Sequence, residues 1–279
     1  MSNIKSINSL SCTRIFSLVK IELTERRRTL LLQYAMMAGI LLLLAVCQAY
    51  TNNYTYLNPT TLKDPGAEDM APLYIIFLFI YGCLCASTMF DELKSKEGRI
   101  RLLMRPALAI EKFISRLIIY VVLFFIVYAV TVVITDGVRC MITAMRFPDF
   151  EHITPIYSAI YTGIMKSLMP ENTTLLKGII LCFGGYLAVQ SFFVLGAVIW
   201  PKLSYVKTFG VFTALFAFYF IFIVWVTSKL SSTYTISDPK VFRTHFYGPI
   251  FFLTYGATAL NYLLAWLRLK ETEVITTKR

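Results

Sequence analysis

Six long apolar runs restrict this chain more than any other feature. They lie at residues 29–50, 71–90, 113–135, 174–200, 206–228 and 248–267, and each is near the ~20 residues a helix needs to cross a bilayer's hydrocarbon core. Lipid offers no hydrogen-bonding partner, so every backbone N–H and C=O within it must be satisfied by the chain. Runs of this kind therefore fold as packed helices. The composition agrees, at 57% hydrophobic and 15% charged with mean hydropathy +0.65, where a soluble domain has about 45–50% apolar and about 25% charged residues. We expect an all-α membrane protein with a single transmembrane domain over residues 1–279. Residues 1–28 form an arm, 29–267 a six-helix region and 268–279 a tail. The first run is too long for a signal-peptide core and reads as a retained span.

A net charge of +11 raises the question of nucleic acid, and the distribution of charge answers it. Polar segments were assigned alternately to the two sides of the membrane. One set, made of the arm, residues 91–116, the 201–207 turn and the tail, holds 19 of the 27 Lys and Arg. The other set holds 8, and the 16 acids divide evenly. Positive residues favour the cytoplasmic side, so both termini are expected inside. The basicity is a topology signal, not a nucleic-acid footprint.

Catalytic motifs are missing. The sequence has no GxxxxGK[ST] phosphate loop, no HExxH and no GxSxG, so nothing in it cradles ATP in the familiar way or marks a hydrolase. His152 and His245 fall in expected outer loops without catalytic partners. The six cysteines show no zinc or haem spacing and read as apolar fillers, with Cys140 expected in a loop. Asp136, Arg116 and Lys177 lie near span ends, where long side chains reach water. With no ionisable group expected in mid-membrane, an ion-driven transporter or pump is disfavoured. No cofactor or metal is expected in this chain, and it is not expected to be an enzyme.

Several stretches suggest contacts. In the arm, Ile15, Phe16, Val19 and Leu23 share a helical face opposite Ser17, Lys20 and Thr24. That pattern fits a helix lying on the inner leaflet or an ordinary cytosolic tail. Asn58-Pro59 and Asp64-Pro65-Gly66 read as turns. A 3/4-spaced apolar pattern from Ile156 to Leu168, after Thr154-Pro155 and before Pro170, predicts an outer amphipathic helix between spans three and four. It is too short to span, and would lie on the membrane or pack against neighbouring loops. Small-xxx-small pairs occur at Ala35/Gly39, Gly82/Ala86, Gly184/Ala188 and Gly210/Ala214. The fifth run is dense in aromatics, which suits lipid contact or an amphiphilic substrate. Sequons stand at Asn53 and Asn172.

Residues 91–116, DELKSKEGRIRLLMRPALAIEKFISR, pack seven Lys and Arg and four acids between two spans. Residues 99–105 form a short helix with Ile100, Leu103 and Met104 on one face, stopped by Pro106. A basic inner loop is ordinary; a short apolar face followed by Pro is not.

The charged run, then Leu103 and Pro106-Ala107, then Glu111-Lys112-Phe113 and Arg116 entering span three, resembles the corresponding loop of short ABC-2 type transporter permeases. Six spans with both ends inside and an amphipathic arm extend that resemblance over the chain. It implies a permease subunit of an ATP-driven exporter in a bacterial inner membrane. A separate ABC ATPase would carry the ATP and Mg, and a second permease chain would form a homo- or heterodimer. Arg99, Ile100, Arg101, Leu103, Met104, Arg105, Glu111 and Lys112 would then dock the ATPase, and Ile15, Phe16, Val19 and Leu23 would hold the arm on membrane lipid. Such permeases often carry outer helices between spans five and six, whereas the stronger candidate here lies between three and four. The rival reading is a non-transporting scaffold or sensor that binds a cytosolic partner through the same loop.

Overall fold

The computed structural model describes residues 11–51, 64–148, 153–160, 175–231 and 239–277. No strand occurs among them. Five helical stretches are long and apolar enough to cross a membrane: Cys12–Thr51, Gly66–Ser87, Ala109–Arg146, Ile180–Ile199 and Ser204–Phe222. The protein is an all-α, multi-pass membrane protein. The expected sixth run lies within a long helix, Pro239–Thr277, that is not among these five. Asn53, His152, Asn172 and residues 161–168 of the expected outer helix lie outside the described residues, as do the side chains of His245, Lys177 and Leu103.

The chain forms two compact units, one built from residues 11–82 and 114–171, the other from 83–113 and 172–279 with the first ten residues. The first holds α1 (Cys12–Glu25), α2 (Arg27–Thr51) and most of α3 (Pro65–Ser87). It also holds most of the continuous helix Ala109–Arg146. Within that helix α5 (Ala109–Leu117) passes into a π-helical stretch, Ile118–Leu123, and then α6 (Phe124–Arg146).

α2 buries a single stripe, Leu30, Met37, Leu41, Ala45 and Ala49, and packs it on α6. Residue pairing fixes the directions of these helices. The Arg26 guanidinium donates to Tyr120 Oη at 2.9 Å near one end, and Arg146 donates to the carbonyls of Ala49 and Tyr50 at 2.8 and 2.9 Å at the other. α2 and α6 are therefore parallel. α3 runs the opposite way, with Asp64 beside Arg139, Tyr74 Oη 3.2 Å from Thr135 Oγ1, and Tyr128 Oη donating to the Tyr74 carbonyl.

Three expectations need correction in this unit. Asp64-Pro65-Gly66 opens α3 rather than forming a turn. Pro65 takes the first helical position, where its missing N–H costs nothing, and the Asp64 carboxylate accepts from Gly66 N–H at 2.9 Å as an N-cap. The third helix does not end at Thr135 but continues to Arg146, so Asp136, Arg139 and Cys140 are helical, not loop, residues. Asp136 and Arg116 do not reach for water. They are 3% and 1% exposed and ion-paired.

The second unit contains a 3-10 turn, Asp91–Lys94, then α4 (Lys96–Met104), α8 (Leu175–Ile199), α9 (Ser204–Ser231) and α10 (Pro239–Thr277). The short helix Ile156–Ile160, α7, belongs to the first unit and is the described start of the expected outer helix. α8 packs on both α9 and α10. It runs parallel to α10, since Tyr255 Oη donates to the Ile180 carbonyl at 2.7 Å and Asn261 Nδ2 to Ser191 Oγ at 2.9 Å. It runs antiparallel to α9, with Phe193 near Tyr205 and Phe192 near Phe212.

Close approach explains two glycines on α8. A Cβ on Gly184 would lie 2.6 Å from the Tyr255 ring, and one on Gly196 would fall on the Thr208 side chain. Gly184 of the Gly184/Ala188 pair is thus a site of close helix approach, and Gly196 is a further one outside the small-xxx-small pairs. Gly39 and Gly210 have nothing within 4 Å. Residues 239–247, expected as loop, are helical, and the tail remains helical to Thr277.

Candidate functional site

The segment between the second and third helices is built by local capping. Ser95 is the N-cap of α4, its Oγ accepting from Gly98 N–H at 3.0 Å. Gly98 is buried, and a Cβ there would collide with the Glu92 carbonyl oxygen. That contact seats α4 on the preceding 3-10 turn. Leu102, 3% exposed, points inward one turn beyond Gly98. The opposite face carries Ile100 and Met104, 56% and 79% exposed. α4 ends at Met104, with Arg105 extended ahead of Pro106, as expected.

The basic residues divide into two groups. Glu92, 4% exposed, lies 3.5 Å from Arg101 and 3.7 Å from Arg105. Arg105 is mostly enclosed, whereas Arg99 and Arg101 remain exposed. Glu111 and Lys112 are buried. The Glu111 carboxylate accepts from Leu108 N–H at 3.1 Å, which makes it the return half of a capping box at the start of α5. Of the expected docking residues whose side chains are described, the exposed ones are therefore Arg99, Ile100, Arg101 and Met104.

The arm is placed differently from the sequence expectation. Ile15 turns inward with Leu18 and Glu22, so it is not part of an outward apolar face. Phe16 is 74% exposed. With Val19 and Leu23 it lines an open groove of about 500 Å³, whose other walls are Lys20, Thr24 and Arg27. Lys20 and Thr24, expected on the opposite side, share that surface. An apolar strip flanked by Lys and Arg is the usual chemistry of an interfacial helix.

Two buried charge clusters were not anticipated. Near Arg26, where α1 gives way to α2, Glu22 (1% exposed) lies 3.2 Å from Arg26 and 3.7 Å from Arg116. With the Arg26–Tyr120 hydrogen bond this clasps α1 to the start of the third long helix. At the far end of that helix Arg139 is fully enclosed. It reaches Asp136 at 2.8 Å, Asp64 at 3.1 Å and the Thr154 carbonyl at 2.9 Å. The carboxylates also accept from Thr154 N–H and Ile156 N–H, so the cluster is well satisfied. Ser191 and Asn261 form a third polar contact, uncharged and buried, in the middle of α8 and α10. The Asp136/Arg139 spacing of i, i+3 and the Glu22/Arg26 spacing of i, i+4 are the local signals of these clusters; Arg116, Asp64, Thr154 and the Ser191–Asn261 pair join partners remote in sequence.

Among the described residues no group of three His, Cys, Asp or Glu is placed to hold a metal. Comparison with family models, curated proteins and solved structures returns no match.

Proposed function

We propose that this chain is the permease subunit of an ATP-driven exporter, seated in a bacterial inner membrane with six spans and both termini cytoplasmic. Its partner in the cytoplasm is a separate ABC ATPase. The observation that carries this reading is the outward pair Ile100/Met104 on a short helix whose opposite side is seated by Gly98 and Leu102. Two large apolar side chains at i, i+4, flanked by Arg99 and Arg101, match the way an amphipathic helix inserts anchors into a partner's groove. The sequence holds no phosphate loop, which is in keeping with an energy source on the partner.

The helix directions support the topology. Spans one and three are parallel with span two reversed, and α8 and α10 are parallel with α9 reversed. Alternation of that kind within the unit supports α10 as the sixth span. The Glu22 clasp supports the arm as a second element that moves with the start of span three. α9 leaves Phe216, Phe218 and Phe220 exposed, a face for lipid or the second permease chain. Export would proceed as ATP-driven closure of the ATPase pair pushes on α4.

The test is to replace Ile100 and Met104 with Asp. Both are exposed, so the double variant keeps its membrane insertion and stability. The expected result is loss of the co-purifying ATPase and of transport. An ATPase that still co-purifies at wild-type yield would remove the docking reading.

A further inference from the structure

In the unit formed by residues 83–113 and 172–279, a groove of about 410 Å³ lies where the 3-10 turn and α4 meet the short connection between α8 and α9. Its cations are Lys94, Arg99, Lys202 and Lys207, and its floor is Leu93, Val198, Ile199, Trp200 and Pro201. Lys94 lies 2.7 Å from Asp91. Among the described residues no acid pairs with Arg99, Lys202 or Lys207. The groove therefore carries an excess of positive charge over an apolar floor.

Its position restricts what fills it. Ile199 ends one helix long enough to span and Ser204 begins the next, so the connection lies where hydrocarbon gives way to water. Trp200 is the aromatic type favoured at that depth. Leu203, beside Lys202, is 70% exposed and sits at φ 55°, a left-handed conformation that non-glycine residues seldom adopt. The next exposed apolar residue, Val206, stands beside Lys207. Lys202 and Lys207 thus bracket two exposed apolar side chains, Leu203 and Val206. A soluble anion would use the cations and leave the apolar residues idle. An amphiphile with a phosphate head uses both.

We propose that this groove binds the headgroup of an anionic phospholipid, with its phosphate held by Lys202, Lys207 and Arg99 and its glycerol end against Ile199, Trp200 and Pro201. Basic pockets at the ends of membrane helices recognise anionic lipid heads by this combination. The proposal rests on the membrane-spanning character of the chain and is independent of whether it transports anything.

The experiment uses the full chain with Trp225 and Trp266 replaced by Phe, leaving Trp200 as the only indole. In neutral detergent micelles, Trp200 fluorescence is titrated with doxyl-labelled phosphatidylglycerol and with matched phosphatidylcholine. Phosphatidylglycerol should quench at concentrations at least about tenfold lower, since each nearby basic residue contributes severalfold in affinity. The variant K202Q/K207Q should lose that preference while K202R/K207R retains it, with gel filtration and circular dichroism reporting intact protein in each case. Equal quenching by the two lipids would overturn the proposal, as would an unchanged preference in K202Q/K207Q. Inorganic phosphate displacing the labelled lipid at equal concentration would also overturn it, by assigning the groove to a free anion.

Discussion

Arg139 shows how much a single side chain organises here. Its guanidinium is fully enclosed and touches two carboxylates and a carbonyl from three separate stretches of chain. Replacing it with Leu leaves Asp64 and Asp136 buried with their like charges close together. Breaking one side of a buried pair costs about 3–5 kcal/mol, so R139L should lower the thermal midpoint in detergent well below that of a surface change such as R99Q. Gly98 is a second decisive position. G98A places a methyl on the Glu92 carbonyl, and overpacking of that kind costs roughly 1–3 kcal/mol. Faster tryptic cleavage at Arg99 and Arg101 would report it. The two residues differ in legibility. Pro106 and the Ile100/Met104 spacing are local signals, and the short helix follows from them. Asp136 near a span end looks peripheral in sequence because Asp64 and Thr154, which enclose its neighbour Arg139, stand far away along the chain.

At the scale of elements, helix ends were harder to place than helices. Five of the six apolar runs fall in the helical stretches long and apolar enough to cross a membrane, since burial in lipid selects them by composition alone. They did not show that the third helix continues through polar residues to Arg146. There the Asp136–Arg139 pair supplies internally what water would otherwise supply, so a helix persists where hydropathy has already fallen. The arm gives the converse case. Its pattern correctly marked a helix, but Ile15 turned inward because Glu22, on the same face, is drawn to Arg26 and Arg116. E22A removes the shared acid and leaves two arginines facing each other. The expected outcome is release of α1, read as increased tryptic cutting at Arg26–Arg28 with the membrane helices still protected. Equal protection of α1 in E22A and wild type would mean that Ile15 and Leu18 hold the helix unaided.

For the whole molecule, charge distribution carries the proposed topology, and helix directions alternate within each compact unit taken by itself. In the proposed topology the 19 basic residues of one set face the cytoplasm. A cysteine introduced at Lys202 or Arg268 should therefore be shielded from an impermeant maleimide in intact cells and labelled in inverted vesicles. One introduced at Arg146 should be shielded in the vesicles instead. The functional account depends most on what meets α4. A photo-crosslinking amino acid placed at Met104 in the full chain in cells should form one dominant adduct, and peptide mass spectrometry should identify in it an ATPase with a phosphate loop and an ABC signature. An adduct with a protein lacking those motifs would contradict the account and favour a scaffold or sensor, and no adduct from the exposed Met104 would contradict docking at α4 altogether.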